Sequence, residues 1–67
     1  MEIKNKSGNW VKIEKGDVIG DESEEGIVVC ILVEDGEIEF GVCDMKEGWS
    51  LKLEDVKKVN GDKVELV

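Results

Sequence analysis

Histidine, arginine, alanine, proline and tyrosine are all absent from the 67 residues. Each absence removes a class of reading. Without histidine the chain lacks the commonest general base and metal ligand. Without arginine it lacks the side chain that reads bases and phosphates bidentately, and all nine bases are lysine against 17 acids, a net charge of −8. Basic patches supply most of the affinity for nucleic acid, so nucleic acid is not an expected partner. Alanine is the best helix former, and no stretch repeats apolar residues at helical spacing, so helix is not expected either. Two cysteines, Cys30 and Cys43, are too few for a disulfide scaffold and cannot close a four-ligand zinc site.

Catalytic constellations are missing in the same way. Neither cysteine has an activating partner in view, and Ser7, Ser23 and Ser50 sit in no Gly-x-Ser-x-Gly elbow. There is no glycine-rich phosphate loop. Carboxylates are so abundant that their pairing means little. The chain is read as a non-enzyme with no cofactor and no metal. Its longest apolar run, Ile27 to Val33, is far short of the roughly 20 residues that cross a bilayer, and Met1–Lys6 lacks the apolar core of a signal peptide. The expectation is one soluble, cytoplasmic domain over residues 1–67.

What is present centres on Ile27–Val42, two β-rich runs around Asp35-Gly36, a strong signal for a two-residue type I′ hairpin loop. If that loop sets the register, Glu34 faces Glu37, Val33 faces Ile38, Ile31 faces Phe40 and Val29 faces Val42. One face of the ribbon is then an apolar wall of Val29, Ile31, Val33, Ile38, Phe40 and Val42. The other carries Val28, Cys30 and Leu32 opposite Glu39, Gly41 and Cys43. In this register the cysteines are diagonal neighbours. They read first as reduced, packed thiols, with a disulfide or a dimer-crossing bond as alternatives.

Around this ribbon the other strands fall into place. Lys6-Ser7-Gly8 suits a three-residue hairpin loop with Gly8 left-handed. This sets Ile3 opposite Val11 and Met1 opposite Ile13, and turns Trp10 outward with Lys4 and Lys12. Gly20–Gly26 brackets Asp21, Glu22, Glu24 and Glu25, which repel one another, so an exposed, mobile acidic loop is expected. It lacks the spaced oxygens of a calcium loop. Trp49-Ser50-Leu51-Lys52-Leu53 alternates strictly and should pair with Glu37–Val42, placing Trp49, Leu51 and Leu53 inward. Asn60-Gly61 is a second hairpin dipeptide, leading into Lys63–Val67.

Short strands with glycine turns predict an all-β fold, a small antiparallel barrel with little or no helix. Three stretches then carry a resemblance: Val11–Ile19, which ends in a Gly16-Asp17 turn; Gly26–Val29, which opens the second strand; and Glu39–Asp44, which bears Phe40 and ends in Asp44. With Leu53–Val59, a short helical turn before a closing strand, the chain resembles the small SH3-like barrels of the KOW and Tudor type over about residues 11–59. The resemblance implies an interaction module. It does not bring a ligand, because an aromatic cage needs more clustered aromatics than Trp10, Phe40 and Trp49. A basic nucleic-acid surface and a Tyr-lined peptide groove are missing as well.

Two functions follow. In the first, Val28, Cys30 and Leu32, joined by Trp10, form an exposed apolar stripe that docks a protein or a second copy, since large exposed apolar patches mark interfaces. Alternatively the terminal hairpin, Val56 to Val67, folds over that face and makes it core. In the second, the acidity and the Asp21/Glu22/Glu24/Glu25 loop mimic nucleic acid and occupy the basic cleft of another protein, as small phage inhibitors do. Net charge is also simply a means to solubility.

Overall fold

The computed structural model describes residues 1–66. Among them the strands are β1 (Glu2–Lys4), β2 (Trp10–Lys12), β3 (Val18–Gly20), β4 (Glu25–Glu34), β5 (Glu37–Cys43), β6 (Gly48–Lys52), β7 (Lys58–Val59) and β8 (Asp62–Lys63), with a 3-10 turn at Leu53–Asp55. The fold is all-β and antiparallel. β1 and β2 form a two-stranded sheet, and the rest form a six-stranded sheet in the order β6-β5-β4-β3-β7-β8. From β3 to β6 each strand lies beside its predecessor. The 3-10 turn then redirects the chain, and β7 returns to pair with β3, Ile19 opposite Val59.

Both hairpin dipeptides behave as their chemistry demands. Asp35 and Gly36 have φ of 51° and 78°, and Asn60 and Gly61 have 50° and 86°. Two left-handed residues in succession are the type I′ geometry, whose twist matches the strands it joins. The first hairpin also forms as expected: Gly8 has a φ of 85°, Ile3 pairs with Val11, and the Ile13 N–H donates to the Met1 carbonyl (2.8 Å). Asn5 fixes its loop by accepting from the N–H groups of Ser7 (3.0 Å) and Asn9 (2.9 Å).

The central ribbon departs from the uniform register. Near the turn the pairs are those the loop dictates: Glu34 with Glu37, Val33 with Ile38, Ile31 with Phe40, Cys30 with Gly41. The next pair is Val28 with Val42, so Val29 is an extra residue in a β-bulge. A one-residue insertion exchanges the faces of everything beyond it. Val28 therefore turns into the core and is 1% exposed, while Val29 turns out and is 50% exposed. Three expectations are corrected here: Val29 is not part of the inner wall, Val33 lies beyond the core's edge and is 64% exposed, and Val28 is not on the outer stripe. Backbone bonds pin the switch, since the Val28 N–H donates to the Asp17 carbonyl and its own carbonyl accepts from the Gly16 N–H (both 2.9 Å).

The core is Ile13, Ile19, Val28, Phe40, Val42, Leu51, Val56, Val59 and Leu66. Each such side chain contributes about 1.5–3 kcal/mol by leaving water. Trp49, Leu53, Ile31 and Ile38 pack against its margin, as the alternation in β6 predicts. Gly26 lets the Trp49 ring close down, because a side chain there would lie 2.9 Å from that ring and 2.7 Å from Val42.

The terminal hairpin does not cover the outer face of β4. Asn60 latches it to the far side of the sheet: its amide oxygen accepts from the Val18 N–H (2.9 Å), and its own N–H donates to the Val18 carbonyl (2.7 Å). Val56, Val59 and Leu66 then close the inner side.

The acidic loop is exposed, as expected, and forms a shorter turn than its bracketing glycines suggest. β3 runs through Gly20 and β4 begins at Glu25, leaving a tight turn at residues 21–24. Asp21 folds back on its own backbone and accepts from Ser23 N–H (2.7 Å), Glu24 N–H (2.8 Å) and the Ser23 hydroxyl (3.1 Å).

Candidate functional site

Strand alternation and the bulge together decide what lies on the outer face of the central ribbon. Beyond the bulge, Ile27 pairs with Cys43 and is flanked by Val18 from β3. At the bulge, Val29 and Cys30 share the space above Gly41. A side-chain carbon on Gly41 would lie 3.7 Å from a Val29 methyl and would collide with the Cys30 sulfur, so the missing side chain is what admits the thiol. Toward the turn, Leu32 pairs with Glu39. The result is a continuous aliphatic and thiol strip with Ile27, Val29 and Leu32 exposed by 47%, 50% and 56%.

Charge frames the strip at its two ends. At the turn, Glu34 stands directly opposite Glu37, an arrangement unfavourable within one chain. At the other end Glu25 meets the Lys58 ammonium at 3.6 Å, with Lys63 opposite Lys58 in the neighbouring strand. On the β6 side the face is polar: Ser50 lies beside Gly41 and Lys52 beside Glu39.

The expected site residues separate accordingly. Cys30 and Leu32 stand on the outer face; Cys30 and Cys43 are free thiols, each half-buried. Val28 belongs to the core. Trp10, 65% exposed, points outward as expected, but on the separate two-stranded sheet, where the Lys4 ammonium sits 5.6 Å from its ring centroid. Of the acidic group, Glu22 and Glu24 project into solvent, Glu25 lies in β4, and Asp21 is engaged with its own turn.

The sequence reading missed Ile27 and Val29 as outer-face residues. The available signal was Gly41, since a glycine inside a strand marks a bulge or a close approach.

Electrostatics elsewhere serve loops. The carboxyl of Asp21 is held below its ordinary value by N–H donation from Glu24 and then Ser23. That of Asp44 is lowered by the N–H groups of Glu47 and Lys46, and that of Asp17 by the Glu14 N–H and the Asn60 amide. Among the described residues no three metal-ligating side chains come together, and no helix is long and apolar enough to cross a membrane. No protein-family model, curated protein or solved structure matches the chain.

Proposed function

We propose that this domain is a non-enzymatic protein-interaction module that self-associates through the outer face of β4. The observation that carries the reading is the trio Ile27, Val29 and Leu32, each about half exposed or more along one strand face. Charge favours a second copy as the occupant. A two-fold axis near Val29 lays the Glu34/Glu37 end of one copy against the Lys58/Lys63 end of the other, and isologous contacts of this kind are the commonest in dimers. The repulsion between Glu34 and Glu37 is then relieved across the contact.

Magnitudes make the dimer weak. Burying the exposed half of each aliphatic chain contributes about 1 kcal/mol, or roughly 6 kcal/mol for six such chains, against an association cost of about 4–15 kcal/mol. The aliphatic strip alone therefore does not hold a dimer, and association at millimolar concentration requires the Glu34/Glu37 ends to pair with the Lys58/Lys63 ends.

An SH3-like topology accompanies this reading. It is supported by the meander from β3 to β6, the 3-10 turn at Leu53–Asp55 and the return of β7 to β3. Two free cysteines on an exposed face suit a reducing, cytoplasmic setting.

Sedimentation or light scattering between about 10 μM and 1 mM tests the proposal. Rising mass with concentration is expected, and Leu32→Glu should abolish the rise while leaving the fold intact. A strictly monomeric wild type at about 1 mM would sink it, as would association unchanged by Leu32→Glu.

A further inference from the structure

At the edge of β5 the sheet opens. β6 stays beside β5 only as far as the Glu39–Lys52 pair; past it the chain leaves into the 3-10 turn, and among the described residues Gly36–Ile38 have no strand on that side. Between this free end and the turn lies a groove of about 180 Å³ with Ile38 and Leu53 as its apolar floor. Both side chains are only partly buried at the margin of the core. The space above Gly36 is empty to 4 Å, so the groove is open at the hairpin tip. Val33, which pairs with Ile38, is 64% exposed and continues the apolar surface outward.

The rim is acidic. Glu37, Glu39 and Glu54 border the groove against one base, Lys52, and Lys52 faces Glu39 across the strands. Among the described residues neither Glu37 nor Glu54 makes an ion pair. Asp35, two residues before Glu37, and Asp55, next to Glu54, add to the negative field. A volume below the roughly 300–1,000 Å³ of small-molecule sites takes one side chain of a longer ligand, not a whole cofactor.

We infer that this groove docks an extended cationic segment of another protein, placing one aliphatic side chain on Ile38 and Leu53 with a lysine or arginine on either side. One flanking cation reaches Glu37 at the tip and the other reaches Glu54 at the turn. The floor supplies the anchor pocket and the rim supplies the sign of the partner. This site shares the acids Glu37 and Glu39 with the border of the outer-face strip, but its apolar floor is distinct and binding does not depend on self-association.

The test uses the full chain carrying Leu32→Asn, which breaks the apolar strip without adding a charge opposite Glu39, so that dimerisation through the outer face does not interfere. ¹⁵N-labelled protein is titrated with a hexapeptide alternating lysine and leucine, and separately with its glutamate–leucine counterpart. Saturable amide shifts at Ile38, Leu53 and Glu54 are expected for the lysine peptide alone, weakening in high salt. Glu54→Lys and Glu37→Lys, both at exposed positions, should each weaken binding roughly two- to fivefold without altering the rest of the spectrum. Equal binding of the two peptides overturns the inference, as do shifts confined to Val29 and Cys30 or the absence of saturation at millimolar peptide.

Discussion

Val28 and Val29 carry the same side chain at successive positions of one strand, yet Val28 is sealed in the core and Val29 stands half in water. Successive residues of a regular strand face opposite ways, so an unbroken register carried from the Asp35-Gly36 turn inverts both valines at once. What differs is the side of the bulge on which each lies. From Cys30 to Glu34 the Asp35-Gly36 turn sets the faces, and from Ile27 to Val28 the pairing with Val42 and Cys43 sets them. The bulge joins two registers, each satisfying the core locally. Its consequence is that Ile27, Val29, Cys30 and Leu32 fall on one outer face, where the unbroken register would have left Cys30 and Leu32 with only Val28.

The sharpest way to break this comparison is to charge each valine in turn. Val28→Asp buries a carboxylate with no partner, and a domain of this size has only about 3–10 kcal/mol to lose. Loss of the folded state is expected, read as collapsed amide dispersion. Val29→Asp places the same group in solvent and should keep the fold while lowering self-association. The milder pair, Val28→Ala and Val29→Ala, should separate by roughly 2 kcal/mol in urea unfolding, since only the first leaves a cavity. Equal losses at the two positions would mean the bulge lies elsewhere.

A smaller effect probes the residue that makes room for the bulge. Gly41→Ala drives a methyl against the Cys30 sulfur, and the thiol must rotate away, at a cost of about 1 kcal/mol. Removing the sulfur should remove the conflict. In a double-mutant cycle, Gly41→Ala is then nearly neutral on a Cys30→Ala background. If the two changes are additive, the cost comes from the backbone, and the close approach of thiol to glycine is not what the position selects.

Much of this arrangement was legible beforehand, and the exceptions have physical causes. Pairings next to a turn follow from the turn: Ile31 with Phe40 from Asp35-Gly36, Ile3 with Val11 from Gly8. The alternation of Trp49, Leu51 and Leu53 likewise reports its own burial. The bulge was not legible because an extra valine changes neither composition nor β-propensity, and Gly41 was its one trace. The docking of the terminal hairpin was hidden for another reason. It depends on Asn60 reaching Val18 across 42 positions, a contact that no local pattern encodes. The compact shape of the acidic turn was not legible because repulsion among four carboxylates was weighed without the N–H groups that donate to one of them. Of the candidate site, Cys30 and Leu32 were visible, whereas Ile27 and Val29 required the bulge.

The least of these effects separates the loops from the faces. Residues 21–24 and 44–47 are built alike: the first aspartate donates its N–H to the carbonyl three residues on, at 3.0 Å for Asp21 and 2.9 Å for Asp44. Its carboxylate meanwhile gathers the N–H groups inside the turn. Folding therefore lowers both carboxyl pKa values below the ordinary 3.8. A group lowered in the folded state stabilises it above the unfolded value, and that contribution disappears as pH falls through the folded one. From these aspartates the urea midpoint should be flat between about pH 7 and 5 and decline below about pH 4. Both turns are open to solvent, so the decline is shallow. Asp21→Asn with Asp44→Asn keeps an acceptor but not the titrating charge. It should make the acid limb shallower, leaving the part that Asp17 and Glu14 carry, whereas Val29→Ala leaves that limb as it is. A double asparagine variant that declines as steeply as the wild type below about pH 4 would place the acid sensitivity outside the two turns.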